Sequence, residues 1–236
     1  MKAATKRIRL AQRACTRGEF AAAWRDTMMA AATAPPDVRP LRIAACTVLD
    51  DVTPGTPHDA VGLEWFGDAA HLARYEAWSA SPAGLAATTP PHRAVDPASE
   101  RVVVAHEHVM RGEDWLRRRW ADGAPSLRHM ALARRAPGLT PAGFLDRWGN
   151  HAGSVGAVAI PPEARGLAYV QNRPVPRTEG EWPYDAVNEV YFDDMAGVRT
   201  RMDFFAGNPG GTGDGLVGES CFVVVREDVV SYISPG

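Results

Sequence analysis

The chain has 236 residues, 45% of them hydrophobic and 23% charged, which is enough for one large domain or two small ones with an extensive core. Its 26 Lys and Arg residues against 28 Asp and Glu residues give a net charge of -2, so no basic excess exists to neutralise phosphates, and no nucleic-acid partner is expected. The three cysteines form no CxxC motif, no apolar run is long enough for a membrane span, and the basic N-terminus lacks the apolar core of a signal peptide, so we expect a cytoplasmic protein with no membrane partner and no disulfide scaffold.

The apolar periodicity and turn residues of residues 1–112 predict the order strand, helix, strand, strand, helix, strand. The four strands are expected at 7–14, 41–49, 60–66 and 101–106, and the helices from residue 17 onward and at 69–78. Residues 79–99 are expected to form a loop. Residues 113–126 are expected to form a surface connector that is helical in part, and its run Arg117-Arg118-Arg119 is typical of a solvated face.

Residues 127–236 predict the same order of elements. The strands are expected at 127–135, 166–172, 185–192 and 221–227, and the helices from Pro141 to beyond His151 and at 196–205. Thr140 followed by Pro141 indicates a helix start, because threonine caps free backbone N–H groups and proline suits the first helical position. The glycine-rich residues 207–218 predict a loop. They do not match a phosphate-binding loop, because they lack the Lys-Ser/Thr end and a helix directly behind it.

An internal repeat relates these two parts of the chain. Residues 16–24 align with 140–148, so that a threonine, a phenylalanine and a tryptophan coincide. Further segments align in the same order, at offsets between 120 and 126 residues: 43–44 with 167–168, 59–68 with 185–194, and 102–107 with 222–227. Four collinear matches predict two repeats, which we call the first half (residues 1–112) and the second half (residues 127–236), joined by the connector (residues 113–126).

A β-α-β-β-α-β unit folds as a ferredoxin-like sheet with both helices on one face. The other face of the sheet is bare and needs a cover, which a second copy of the unit supplies. The expected fold class is therefore α+β, with two fused ferredoxin-like repeats that form a pseudo-dimeric α+β barrel within one chain. A ligand cavity is expected between the two sheets.

Three segments of the second half carry a family resemblance. They are the helix with Phe144, Trp148 and His151, the strand 165–172 with its Tyr-x-Gln-Asn pattern, and residues 184–194 with their Asp-x-x-x-Glu-x-x-Phe-Asp spacing. In this order they resemble the EthD-like family of the dimeric α+β-barrel superfamily. The resemblance covers nearly the whole chain, is specific from about residue 127 onward, and implies the fold more firmly than an activity.

Relatives on this barrel include cofactor-free decarboxylases and dehydratases of polyketide pathways, cyclases, and cofactor-free anthrone-type monooxygenases. Some family members only accompany degradative oxidation systems, and haem enzymes also use the fold. We expect a cofactor-independent enzyme whose proton transfer drives cyclisation, dehydration or decarboxylation of a small, polyketide-like molecule. The alternatives are a cofactor-free monooxygenase on an electron-rich aromatic substrate and a non-catalytic protein that binds a reactive intermediate.

His151 and Glu189 are the candidate catalytic residues. His151 shares a helix face with Phe144 and Trp148, and its ordinary pKa near 6.5 suits proton transfer at neutral pH. The equivalent position of the first half holds Thr27, so the histidine occurs in one repeat only. Glu189 is expected to orient His151 or to exchange a proton itself, because a carboxylate in the middle of a strand needs a partner. The alternative is a structural salt bridge to one of three arginines: Arg134, Arg173 or Arg201.

Four further residues are candidate substrate-binding groups: Trp148, Tyr169, Asn172 and Asn188. Their polar atoms are suited to hold a carbonyl or phenolate oxygen through hydrogen bonds. Because side chains alternate along a strand, Tyr169 and Asn172 are expected on opposite faces of the sheet.

No metal and no organic cofactor are expected. His106 and His108 form a His-x-His pair around Glu107 that suits a metal, but the sequence places no third ligand beside them. Haem bound through His151 is the other alternative, and no distal haem signature supports it. The expected partner is a small-molecule substrate, and a homodimer remains an open alternative because the fused repeats already supply one pseudo-dimer.

Overall fold

The computed structural model describes residues 4–89, 94–149, 154–155, 158–208 and 215–232. In the first half it contains the strands β1 (Thr5–Ala11), β2 (Arg42–Val48), β3 (Ala60–Phe66) and β4 (Arg101–Arg111), and the helices α1 (Arg17–Met29), α2 (Ala69–Ser79) and α3 (Pro82–Thr88). Short 3-10 helices lie at Ala30–Thr33 and Pro97–Ser99. Helix α4 (Glu113–Asp122) forms the connector.

The second half begins with β5 (Ser126–Arg135) and α5 (Pro141–Trp148), followed by the two-residue strands β6 (Ser154–Val155) and β7 (Val158–Ala159). A 3-10 helix (Pro162–Ala164) precedes β8 (Ala168–Pro174) and β9 (Ala186–Phe192), and the chain continues with α6 (Met195–Gly207) and β10 (Val217–Tyr232). None of the helices in the described ranges has the length and apolar composition that a membrane crossing requires.

Eight strands close into one antiparallel barrel in the order β1-β3-β2-β10-β5-β9-β8-β4. Each half contributes four neighbouring strands. In both halves these strands follow the same order across the sheet: the last strand of the half, then its first, its third and its second. The halves meet at two seams, where β2 pairs with β10 and β4 pairs with β8. The α+β class and the closed barrel are therefore confirmed.

Side-chain alternation along these strands separates the barrel interior from an outer layer under the helices. Ile8, Leu10, Val61 and Leu63 point inward from the first half and pack against Met130, Leu132, Val187, Val223 and Val225 of the second. All nine have no exposed surface, so they fill this part of the barrel and do not line a solvent-sized cavity. The ligand cavity expected between the sheets is not found along these residues.

Several predicted boundaries differ from those observed. Residues 79–99 contain α3, which begins with Pro82 after the Ser81 cap, where the sequence predicted a loop. Strands β4 and β10 are longer than expected, because each pairs with a neighbour on both sides and the seams extend the ladders. Helix α5 reaches Trp148, and its predicted continuation through His151 lies outside the described residues.

Candidate functional site in the second half

One end of the barrel interior holds a balanced group of charges. Three cations, Lys6, Arg42 and Arg128, face three carboxylates that lie on β4, β9 and β10: Glu107, Glu189 and Glu227. We call these six residues the ionic cluster. Formal charges cancel within it, which is the condition under which buried ions avoid a large desolvation cost.

Helix α4 closes this end of the barrel. Its Leu116 is fully buried against Ala168, Val170 and Tyr191. Its Trp120 lies over the Arg42 guanidinium at 4.0 Å, and Trp65 lies 4.2 Å from the same group. The connector therefore shields the ionic cluster from water, which strengthens every interaction inside it.

Glu189 is the centre of the ionic cluster. Lys6 and Arg128 both donate to its carboxylate, Asn172 donates to it at 2.7 Å, and the Tyr191 hydroxyl donates at 3.0 Å. Burial alone would raise the pKa of Glu189, but the charges of Lys6 and Arg128 with these hydrogen bonds lower it to about 2. The carboxylate is therefore ionised at neutral pH and its acceptor sites are occupied.

None of the three arginines proposed as salt-bridge partners contacts Glu189. Its side chain points into the barrel, whereas Arg201 belongs to an outer helix and binds His129, and Arg173 binds Gln171 on the outer face of β8. Glu189 does form buried salt bridges, as this alternative predicted, but its partners are Lys6 and Arg128. Lys6 lies 183 residues away in sequence, so no local pattern could indicate it.

A second polar group lies on the other face of the same sheet, under α5 and α6. The Trp148 indole N–H donates to Asn188 Oδ1 at 3.3 Å, and Gln171 Nε2 donates to the Trp148 carbonyl at 3.4 Å. Gln171 also donates to the Tyr169 hydroxyl at 3.1 Å, and its own Oε1 accepts from Arg173. Burial raises the pKa of Tyr169, so its hydroxyl is protonated at neutral pH.

His129 extends this outer polar group along β5. Arg201 Nε donates to His129 Nδ1 at 2.9 Å, and Arg201 Nη1 is fixed by the Ala164 carbonyl at 2.8 Å. The imidazole stacks on Phe222 with ring centroids 5.1 Å apart, and Phe205 lies 5.8 Å from it. Burial and the adjacent Arg201 charge hold the pKa of His129 well below its usual range, so the ring is neutral.

Ala131 marks an opening in this outer layer. It lies on the central strand β5, directly between Phe222 on β10 and Asn188 on β9, and two residues beyond His129. Although it faces the helices from the middle of the sheet, Ala131 is partly exposed. Small residues at such a position are normally covered by helix side chains, so the sheet is left partly uncovered here, and we call the space above Ala131 the cleft.

The first half has no such opening at the equivalent place. There Arg9 extends over the Trp24 ring at 5.6 Å, and Met28 packs so closely on Gly62 that an added Cβ would lie 2.5 Å from the methionine sulfur. Trp24 and Met28 have no exposed surface. The outer layer of the first half is therefore filled around these residues, and a pocket of about 360 Å³ in this half lies elsewhere, beside Arg13, Phe20 and Asp59.

The chain shares its fold with an anthrone oxidase-like protein. That solved structure has 9% sequence identity and a TM-score of 0.56, with 100% of this chain and 97% of the other covered. A proposed monooxygenase from Lactobacillus acidophilus NCFM, also at 9% identity, aligns over 100% of both chains with a TM-score of 0.49. No family model and no curated protein matches the sequence. The likeness is one of fold.

The barrel separates the predicted site residues into two groups. Trp148, Asn188 and Tyr169 belong to the outer layer beside the cleft, whereas Glu189 and Asn172 belong to the ionic cluster inside the barrel. The opposite placement of Tyr169 and Asn172 follows the predicted strand alternation. His151 lies outside the described residues.

The His-x-His pair of β4 meets no third ligand among the residues that the structure describes. Glu107 points inward to Lys6 and Trp65, while His106 and His108 alternate to the other face of the strand. Within the described ranges no three His, Cys, Asp or Glu side chains come together as metal ligands would.

Proposed function

We propose that the chain is a cofactor-independent enzyme that acts on a small, oxygenated, aromatic or polyketide-like molecule bound in the second half. The observation that carries this proposal is the cleft over Ala131, which combines an aromatic wall at Phe222 with the amide of Asn188. Asn188 accepts from Trp148 through its oxygen, and its Nδ2 makes no hydrogen bond to any described residue, so this N–H group is free to donate to a ligand oxygen.

In the proposed reaction, His151 removes a proton from carbon next to a carbonyl or phenol, and the electron pair moves onto that oxygen. Asn188 Nδ2 donates to the developing oxyanion, and Trp148, which donates to Asn188 Oδ1, fixes the orientation of the amide. The enolate carbon then either attacks a second carbonyl of the same molecule, whose alkoxide takes the proton back from His151, or expels a β-hydroxyl group, which leaves as water with that proton. In the decarboxylation alternative, loss of carbon dioxide itself forms the enolate, and a protonated His151 donates its proton to the carbon. This chemistry needs placed donors and a water-poor cleft.

Glu189 and Asn172 act in this proposal as positioning residues. Glu189 lies next to Asn188 on β9, so the ionic cluster that holds Glu189 also fixes the register of the strand that presents Asn188. A carboxylate with a pKa of about 2 and four donors is suited to this role and poorly suited to exchange a proton at neutral pH.

We further propose that the two halves are repeats of one EthD-like unit. Matching contacts in the two halves support this: Asp59 accepts from the backbone N–H and the guanidinium of Arg13, and Asp185 accepts from the same two groups of Arg135. The matching strand order of the two halves supports it as well. In this proposal the first half retains the scaffold and the second half retains the site.

The second candidate function is cofactor-free oxygenation of an electron-rich aromatic substrate. It shares the first step, since a deprotonated ring carbon reacts with dioxygen, and the fold likeness to an anthrone oxidase-like protein favours it. The aromatic wall formed by Phe222 and Phe205, whose rings are 5.7 Å apart, suits a planar ring system in either reaction.

The test is turnover of a panel of aryl ketones, anthrones and 1,3-diketones, with an oxygen electrode beside product analysis. We expect His151→Ala to lower turnover by about 10²–10⁴-fold, as removal of a general base does. Oxygen uptake that matches product formation would select oxygenation, and product without uptake would select proton-driven chemistry. The proposal is wrong if the wild type binds a panel member and turns over none, which is the behaviour of a binding protein.

A further inference from the structure

His129 carries a buried N–H group that no described residue accepts. The side chain is 1% exposed, and its Nε2 has no hydrogen-bond partner. Such groups are rare, because an unsatisfied buried donor costs about 1–3 kcal/mol. We propose that His129 Nε2–H binds a ligand oxyanion in the cleft and that Arg201 is the positioning residue that keeps the proton on that nitrogen. The inference deepens the proposed function and rests on it for the location of the cleft.

The tautomer of His129 follows from its contact with Arg201. Arginine has no lone pair to offer and stays protonated, so its Nε–H donates and His129 Nδ1 accepts. A neutral imidazole whose Nδ1 accepts must carry its proton on Nε2. Arg201 is itself anchored through Nη1 on the Ala164 carbonyl, so the donor direction is fixed before a ligand arrives.

The groups around His129 keep it neutral. Its neighbours across the sheet are Val190 on β9 and Val224 on β10, the rings against it are Phe205 and Phe222, and Arg201 is the charged group that contacts it from α6. No carboxylate is among these contacts to stabilise an imidazolium, and Arg201 opposes one. His129 is therefore built to donate a hydrogen bond and cannot serve as the general base, which complements the role proposed for His151.

The ligand has to be a planar molecule with a partly anionic oxygen. His129 lies two residues before Ala131 on β5, about 7 Å along the strand, and Asn188 is directly opposite Ala131. The two donors thus flank the exposed floor of the cleft. Nε2 is buried, so a ligand reaches it only when a neighbouring side chain moves, and the Phe222 ring that stacks on the imidazole is itself 37% exposed. A phenolate or enolate satisfies the geometry and the charge.

In the first half, the position that matches His129 holds an arginine with its own carboxylate partner. At the matching place on β1, Arg7 Nε donates to Glu64 at 2.5 Å, and the Arg7 guanidinium lies 5.2 Å from the Tyr75 ring. Arg7 thus has its own carboxylate partner within the layer. In the second half Val190 stands where β3 has Glu64, so His129 is left with a free donor.

The direct test is equilibrium binding of 4-nitrophenolate, followed by its absorbance, with nitrobenzene as the matched probe that lacks the oxyanion. We expect His129→Phe, which retains the stacking on Phe222, to weaken 4-nitrophenolate binding by about 10–100-fold and to leave nitrobenzene binding unchanged. His129→Gln supplies both an acceptor for Arg201 and a donor for the ligand, and it should bind 4-nitrophenolate within about threefold of wild type. Surface variant His108→Gln is the control. Unchanged 4-nitrophenolate affinity in a folded His129→Phe variant would overturn the inference.

Nitrogen-15 NMR of the histidine side chains gives a second test that needs no ligand and no altered fold. We expect the His129 signals of the wild type to show a neutral ring protonated at Nε2 throughout pH 5–8. In Arg201→Gln burial still lowers the pKa of His129, but the opposing charge is gone, so the pKa should rise relative to wild type. A wild-type ring protonated at Nδ1 would contradict the assignment.

The outcomes separate this inference from the proposed function. Binding of 4-nitrophenolate that depends on His129, in a protein that turns over no substrate of the panel, would support the donor role and reject the enzyme. Turnover that depends on His151 and is insensitive to His129→Phe would support the enzyme and reject the donor role of His129.

Discussion

The outer layers of the two halves differ although their scaffolds correspond. Under α1 and α2, Trp24 and Met28 fill the space above Gly62, and Arg9 covers what is left. Under α5 and α6, Ala131 replaces a long side chain and Asn188 replaces a glycine, and the floor of the layer is partly exposed. Strand order therefore places the outer layer in each half, while a few outward-facing strand residues decide whether that layer becomes core or cleft.

The barrel interior differs between halves in a second way. Each half supplies its own pair, Lys6 with Glu107 and Arg128 with Glu227. Glu189 has Leu63 as its counterpart and so occurs once, and like Glu227 it contacts cations of both halves. Glu189 thereby helps to link the half with the cleft to the half without it.

The largest expected effect comes from removing this link. Glu189→Gln leaves three buried cations facing only two carboxylates, Glu107 and Glu227, in a closed interior, and loss of one partner from a buried ion pair costs about 3–5 kcal/mol. Urea unfolding would measure the loss in free energy. Glu181→Gln, at an ion pair whose carboxylate is 69% exposed, is the matched control and should cost less than about 1 kcal/mol. Equal losses in the two variants would show that the ionic cluster has no special importance.

Acid should weaken the same link. The folded-state pKa of Glu189 is lowered to about 2, below that of an unfolded glutamate, so its contribution is complete above pH of about 4.5 and is lost as the pH falls toward 2. Unfolding free energy measured between pH 6 and 2.5 should therefore fall more steeply in wild type than in Glu189→Gln. Parallel curves for the two proteins would contradict the lowered pKa.

One small substitution in each half should distinguish the two outer layers. In the first half, Gly62→Ala places a Cβ against Met28 and Trp24, and such overpacking costs about 1–3 kcal/mol. In the second half, Asn188→Ala removes one long hydrogen bond to Trp148 and should cost at most about 1 kcal/mol. Thermal unfolding of both variants tests the order, and a larger loss for Asn188→Ala would mean that the second layer is the tighter one.

Filling the cleft should change binding more than stability. Ala131→Leu places a larger apolar side chain where the floor is exposed, and we expect 4-nitrophenolate affinity to fall about tenfold, equivalent to about 1.4 kcal/mol. The melting temperature should change little, since free space is available. Ala22→Leu, on the exposed face of α1, is the matched control. Binding equal to wild type in Ala131→Leu would place the ligand elsewhere.

The sequence predicted most of the fold because its signals are local. Strand β3 was expected with its observed bounds, the Thr140 cap marks the start of α5, and the Thr140 hydroxyl accepts from the Gly143 N–H. Strand alternation also separated Tyr169 from Asn172. These predictions need only residue preferences and the periods of helix and strand.

The site was less predictable because its contacts are distant in sequence. His129 was missed, since it sits in an apolar strand and its partner Arg201 is 72 residues away. Extending the repeat alignment from residues 140–148 to the first strands, at an offset of 124, would have paired His129 with Thr5, and only the observed strand register pairs it with Arg7. The exposure of Ala131 has no sequence signal, because it depends on what the helices above it leave unfilled.

A crystal structure of the full chain soaked with 4-nitrophenolate would show where the ligand binds. We expect density for the ring over Ala131 in the second half, with its oxygen within hydrogen-bond distance of His129 Nε2 or Asn188 Nδ2, and an unchanged, filled layer around Trp24. Density inside the barrel beside Glu189, or between the sheet and helices of the first half, would contradict it.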